Sequence, residues 1–310
     1  MPESLLFDFQ VNGFGGVDFQ RDEISPEDLR RATSALRRHG VGAILATLVT
    51  ASVDSLARRF EAIERARSID RDISRMIAGY HLEGPWISPE PGFRGAHPPR
   101  PIHGPSLPEF ARLQAAAGGN IRLVTLAPEW PGSHEFITEV VRQGVHVALG
   151  HTNASESEID GAIAAGARFA THLGNGTPQT LPRHDNVVQR LLSRDELTAC
   201  LIPDGVHLPP FVLRNFFRAK PPGRVLFTTD AMAGAGAPPG SYTIGELTIE
   251  IKADGVARHP GGGGFAGSTL SPDEGMLRTA AYLGLDRTEA LRLWSEAPAE
   301  AFGIVLPHPH

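Results

Sequence analysis

The sequence predicts an α/β fold, a (β/α)8 TIM barrel, and three observations carry that expectation. Eight apolar runs rich in β-branched residues alternate with stretches of helical periodicity along the 310 residues, the order expected of a parallel sheet with helical crossovers. Most of these runs end in polar residues ill suited to packing. Those polar ends come from at least six runs; a closed barrel gathers them onto one face, whereas an open doubly wound sheet would spread them along a line.

The first run, Leu5–Val11, is followed by a helix at Pro26–His39, with Ser25 in the capping place before a first-turn proline. Strand Gly42–Leu48 leads to helix Val53–Ser68, and strand Met76–Leu82 leads through a long loop to helix Leu107–Ala117. Strand Ile121–Ala127 precedes helix His134–Arg142, with Ser133 as its expected start signal. Strand Val145–Gly150 precedes helix Glu156–Ala165, where Ser155 and Glu158 have capping-box spacing. Strands Ala167–Leu173, Leu197–Ile202 and Arg224–Thr229 complete the eight, with helices Asn186–Leu192 and Pro210–Ala219 between them. An insertion at about residues 241–259 alternates along Tyr242–Ile251 and turns at Asp254-Gly255, which reads as a β-hairpin. The glycine run Gly261–Gly264 lacks the strand–turn–helix order of a phosphate loop and reads as a flexible connection. Helices Pro272–Leu283, Thr288–Ser295 and Pro298–Phe302 close the fold, and residues 304–310 read as a frayed tail. Residues 1–310 are therefore expected to form one barrel domain.

Composition narrows the function. Hydrophobic residues make up 41% and charged residues 21%, ordinary for a soluble globular enzyme. No apolar run approaches the roughly 18 residues of a membrane span. A net charge of −6 without a basic stripe argues against a nucleic-acid partner. Cys200 is the only cysteine, which excludes an internal disulfide, and its apolar strand makes core packing the expectation. Met1-Pro2-Glu3-Ser4 shows no signal peptide, so a cytoplasmic location is expected.

Histidine, the commonest metal ligand and acid–base group, occurs 13 times, so position decides. The third strand ends at Glu83, the fifth runs into His151 and the sixth into His172. One carboxylate and two imidazoles suit zinc or a similar divalent ion that keeps a position open for water. Asp230 follows the last strand and is the natural general base, since such an ion lowers the pKa of its water. A single one of these histidines would read as a hydrogen-bonded rim residue; two on adjacent strands with Glu83 nearby read as ligands. Glu129 fits a pocket rim and a solvated loop equally well.

In order along the chain stand His81-Leu82-Glu83-Gly84-Pro85, Gly95-Ala96-His97, Leu126-Ala127-Pro128-Glu129, Gly150-His151-Thr152-Asn153-Ala154, Thr171-His172-Leu173, Asp204-Gly205-Val206-His207, Thr229-Asp230-Ala231-Met232 and Ala266-Gly267-Ser268-Thr269-Leu270. Together they resemble the N-acetylglucosamine-6-phosphate deacetylase family of the amidohydrolase superfamily, over nearly the whole chain. The resemblance implies Glu83, His151 and His172 as metal ligands and Asp230 as the catalytic aspartate. It implies that His97 holds and polarises the substrate and that His207 contacts it. Asn175 and Gly176 occupy the place where the family holds the phosphate end. Arg183 has the spacing of an arginine that reaches phosphate across a dimer interface, so a homodimer is expected. The implied reaction converts N-acetylglucosamine-6-phosphate to glucosamine-6-phosphate and acetate. The alternative is an amidohydrolase acting on a different, unphosphorylated N-acyl amino sugar or a related amide; the gluco and galacto epimers are not separated.

Four departures qualify the resemblance. Many superfamily members carry His-x-His on the first strand for a second metal. Gln10-Val11-Asn12 stands there instead, so Gln10 and Asn12 read as the remnant of a second metal site. One divalent ion per chain is expected, zinc first, with iron or another divalent ion open. The family also adds a small β-sandwich from its termini, and a short form lacking it is expected. The stretch Gly174-Asn175-Gly176-Thr177-Pro178-Gln179 differs from the family's usual one. The loop from Glu83 to His97 carries Trp86 and Pro89-Glu90-Pro91-Gly92, which are expected to reshape the pocket roof.

Overall fold

The computed structural model describes residues 4–258 and 265–307; the glycine run at 261–264 and the tail beyond residue 307 lie outside the described residues. Eight parallel strands pair in sequence order: β1 (Leu6–Val11), β2 (Val41–Val49), β3 (Ile77–Glu83), β4 (Ile121–Leu126), β5 (His146–Leu149), β6 (Phe169–Ala170), β7 (Thr198–Leu201) and β8 (Val225–Phe227). The first and last strands meet without a regular ladder. Instead the Asn12 N–H donates to the Ala231 carbonyl at 2.7 Å. The buried Asp8 carboxylate accepts the Thr228 and Thr229 hydroxyls at 2.5 Å each. An isolated backbone bridge and the Asp8 side chain thus make the seam, and burial pushes the Asp8 carboxyl up despite those hydrogen bonds.

The helices are α1 (Pro26–Arg38), α2 (Val53–Ile69), α3 (Arg71–Met76), α4 (Leu107–Ala116), α5 (Ser133–Arg142), α6 (Glu156–Ala165), α7 (Val187–Leu192), α8 (Pro210–Ala219), α9 (Pro272–Leu283), α10 (Arg287–Trp294) and α11 (Glu296–Ala301). Among the described residues no helix is long and apolar enough to cross a membrane. The period-two alternation of the strands splits the core. Outward residues such as Ile44, Leu48, Tyr80, Val147 and Phe227 pack under the helices, while Phe7, Phe9, Leu45, Leu123, Phe169 and Cys200 fill the barrel's interior. Phe302 closes the barrel from below, its ring stacked 5.0 Å from Phe169 and tilted 5.1 Å from Phe9.

Several expected boundaries shift for local reasons. Helix α3 takes Met76 from the predicted third strand because Asp70 caps it, accepting the Asp72 and Ile73 N–H groups. Gly132, at φ 80°, occupies the cap of α5, so Ser133 is the first helical residue rather than the start signal before it. Strand β6 has two residues instead of seven, since His172 leaves the extended region at φ 27°. The predicted hairpin is a three-stranded sheet of β9 (Gly240–Ile244), β10 (Leu247–Ile251) and β11 (Ala257–Arg258). Its alternating run folds back at Gly245-Glu246, where Gly245 has φ 59°, and the Asp254-Gly255 turn leads to the third strand.

Candidate active site

Above the apolar floor, the inward positions of the strands turn polar. His81 Nε2 lies 2.7 Å from Thr125 Oγ1, which lies 2.6 Å from Thr171 Oγ1. Burial holds His81 down to about 4, so this layer is a neutral platform. Glu83 stands directly above it, ending β3, and His151, His172 and Asp230 follow the ends of β5, β6 and β8. All four are buried.

His151, His172 and Asp230 have φ of 51°, 27° and 52° and are the three non-glycine residues with positive φ among the described residues. Such backbone costs on the order of 1–3 kcal/mol per residue and persists only where the surroundings impose it. Glu83 Oε1 is 3.0 Å from His172 Nε2 and 3.3 Å from His151 Nε2, and the two nitrogens are 3.0 Å apart. Donors bound to one tetrahedral ion at ordinary bond lengths sit about 3.3–3.5 Å apart, so this trio fits a single divalent ion. The carbonyl of Phe93 lies 3.0 Å from His151 Nδ1 and only accepts. That nitrogen therefore carries the proton, and Nε2 turns a lone pair to the trio.

Electrostatics bind the group together. Burial opposes the charge on Glu83, but the His151 and His172 imidazoles beside it outweigh that opposition and hold the carboxyl well below the usual range. Burial likewise opposes charge on His172, and the Glu83 hydrogen bond and charge outweigh it, raising the imidazole. Burial, then the charge of Glu83, pushes Asp230 up to about 7, against a 2.7 Å hydrogen bond from Asn12 Nδ2. Gln10 Nε2 donates to both Glu83 oxygens at 3.2 Å. The two amides of β1 and its end thus brace the two carboxylates. Gln10 Oε1, Asn12 Oδ1 and His172 Nδ1 are three of the four buried side-chain polar atoms without a partner among the described residues. Such orphans cost about 1–3 kcal/mol each, and a cluster of them calls for an explanation.

His97 flanks the trio. Donor atoms of Glu83, His97 and His151 also all lie within 4.8 Å of one another. Its ring centroid is 4.3 Å from that of His151, its Nδ1 is 2.7 Å from Thr50 Oγ1, and burial holds it down to about 3. A cavity of about 1920 Å³ opens over these residues and is also lined by Asn175, Gly176 and His207. Asn175 donates to the His172 carbonyl at 3.2 Å. Gly176, at φ 62°, lies so close that a Cβ there would be 2.8 Å from His151 Nδ1. Asp204 grips His207 through a 2.6 Å contact, and the His207 ring lies 5.1 Å from that of Phe265.

Arg183 is exposed and does not line the cavity. Glu129 does not line this cavity either; it accepts the Thr152 hydroxyl and the Asn153 N–H and so braces the turn after His151. Trp86 is no part of the roof. It is fully buried against Phe110 and Phe136, anchoring the loop whose Gly92 does reach the cavity. Cys200 packs in the core, where burial raises its thiol. Sequence reasoning missed Thr50, although a polar residue at the end of the second run is the same signal that found the others. It also missed the Phe93 carbonyl, which a side-chain inventory does not register, and the cavity-lining Arg94 and Phe265.

No protein-family model matches the chain. It is 34% identical over 314 residues to N-acetylglucosamine-6-phosphate deacetylase of Homo sapiens, spanning 96% of this chain and 74% of that one. It is 32% identical over 298 residues to N-acetylgalactosamine-6-phosphate deacetylase of Escherichia coli O157:H7, spanning 96% and 77%. Among solved structures, a point mutant of N-acetyl-D-glucosamine-6-phosphate deacetylase from Mycobacterium smegmatis, in complex with N-acetyl-D-glucosamine-6-phosphate, matches with a TM-score of 0.87 at 34% identity, covering 98% of this chain and 78% of that one. A parallel barrel with this carboxylate–imidazole cluster at the ends of its strands is a hydrolase of the amidohydrolase superfamily. Identity and coverage place it more narrowly: the chain belongs to the N-acetylglucosamine-6-phosphate deacetylase family.

Proposed function

We propose that the protein hydrolyses the acetamido group of an N-acetylated hexosamine 6-phosphate, with N-acetylglucosamine-6-phosphate the first substrate to try. The observation that carries this reading is the convergence of Glu83, His151, His172 and Asp230 from four strand ends onto one cavity floor. Glu83, His151 and His172 would hold one divalent ion, zinc in the first instance. When bound, that ion polarises the amide carbonyl and makes a water more acidic. Asp230, steadied by Asn12, takes a proton from the attacking water and returns it to the departing amine. His97, whose ring packs on that of His151 beside the trio, holds and polarises the acetamido group. His207, fixed by Asp204, and Asn175 and Gly176 position the sugar phosphate.

Gln10 and Asn12 turn their amide nitrogens to the carboxylates, which favours one ion over two. We read residues 1–310 as one barrel with an inserted sheet, working in the cytoplasm as a homodimer in which Arg183 serves the neighbouring site. The exposure of Arg183 outside its own cavity suits that role. It equally favours a second reading, in which an unphosphorylated N-acyl amino sugar is the substrate.

The test is acetate release from N-acetylglucosamine-6-phosphate, N-acetylgalactosamine-6-phosphate and N-acetylglucosamine, on protein of measured metal content. Turnover of a phosphorylated sugar, lost in Asp230→Asn with the ion retained, is the expected result. Turnover of none of the three with a filled metal site would overturn the substrate assignment.

A further inference from the structure

Four arginines line the cavity among the described residues: Arg59, Arg94, Arg100 and Arg112. Two are already neutralised, Arg59 by Asp22 at 2.8 Å and Arg112 by Asp54 at 2.6 Å. Arg100 is exposed at the rim. Arg94 is half-buried, and among the described residues its guanidinium donates only to the His97 carbonyl, at 3.3 Å, with no carboxylate in ion-pair range. A guanidinium has five N–H donors in a rigid fork, so most of this one remains open to a ligand.

Its placement gives that capacity a direction. The loop carrying Arg94 packs against the 174–178 segment on both sides of the arginine. A Cβ on Gly92 would lie 2.7 Å from Pro178 Cβ, and one on Gly95 would lie 3.9 Å from Gly176 Cα. Arg94 is thus an unneutralised cation between two contacts that tie its loop to Pro178 and Gly176.

We propose that Arg94 is an anion-binding residue that takes the substrate's phosphate from within the same chain. This rests on the sugar-phosphate reading above and adds a specificity-determining residue to it. Arginine suits the task, since its planar fork meets two phosphate oxygens at once. The consequence is a phosphate contact supplied from within the chain, in addition to Arg183 of a second subunit.

The experiment compares wild type with Arg94→Met and Arg94→Lys. For N-acetylglucosamine-6-phosphate we expect KM to rise roughly tenfold or more in Arg94→Met, the loss of one charge-assisted contact. Turnover number should stay within about threefold, because a contact remote from the amide contributes equally to ground and transition states. Arg94→Lys, which keeps charge but not the fork, should fall between. An unchanged KM in folded Arg94→Met overturns the proposal while leaving the deacetylase reading intact. Should the wild type turn over no sugar phosphate, that reading fails and calorimetric binding of glucosamine 6-phosphate against glucosamine decides instead. A preference for the phosphate that vanishes in Arg94→Met supports the anion site, and equal binding by both proteins overturns it. Should Arg94→Met not fold, Arg94→Gln takes its place in each comparison.

Discussion

Replacing Asn12 with leucine removes a single interaction at the proposed base. Asn12 Nδ2 donates to Asp230 Oδ1 at 2.7 Å, in a site where both residues are buried and the amide oxygen has no partner to lose. Hydrogen bonds to a charged group contribute about 1.5–3 kcal/mol. At 1.36 kcal/mol per pH unit, losing one shifts the carboxyl by about 1–2 units. The sign follows from which form the bond favours. The amide stabilises ionised Asp230, so its removal raises the pKa, on top of the burial that already pushes the group up to about 7. A cation in the adjacent site lowers both proteins' values and leaves their difference. Proton acceptance needs the ionised form, so the acid limb of kcat/KM for acetate release should move to higher pH in Asn12→Leu, with the alkaline plateau near wild type. Initial rates between about pH 5 and 9 would define both limbs. An acid limb that does not move, at an unchanged plateau, would refute the assignment of Asp230 as the base that Asn12 steadies.

Two other perturbations test the proposed metal site. In Gly176→Ala, the new methyl would lie 2.8 Å from His151 Nδ1 at a φ of 62°, displacing the ring from the Phe93 carbonyl. Loss of such an orienting partner should weaken metal binding by about 10–100-fold, read by competition with a chromophoric chelator; wild-type affinity would show that the ring is positioned otherwise. Stripping the ion should lower the melting temperature by several degrees, since a ligand at 100 times its dissociation constant stabilises the folded state by about 2.7 kcal/mol. Restoring one equivalent should restore it, and an indifferent melting curve would count against a metal at this site.

The barrel was legible because apolar runs alternate with helical periodicity and end in polar residues, and both signals are local. Tyr80 and Leu82 against His81 and Glu83 already declare which face is which. The site was legible because polar residues at the ends of buried strands have no packing role. Geometry set by long-range contact was not legible. The backbone turn that shortens β6 comes from the packing around His172, and the seam at Asp8 joins residues 220 positions apart. Trp86 was misplaced for the opposite reason: its neighbours in sequence lie in a loop, whereas its neighbours in space, Phe110 and Phe136, belong to α4 and α5. Backbone groups such as the Phe93 carbonyl leave no trace in residue identity at all.

The left-handed backbone at His151, His172 and Asp230 also sets a conflict for anyone seeking a hardier enzyme. Glycine and asparagine adopt that conformation at least expense, so a library selected only for survival after heating would be drawn to these three positions. At Asp230 asparagine would also relieve a buried carboxyl that resists ionisation until about pH 7. Each such gain would remove a group on which the proposed chemistry depends. Selection for heat tolerance alone would therefore steer this barrel toward a sturdier and inert form, and a useful screen must score turnover in the same round.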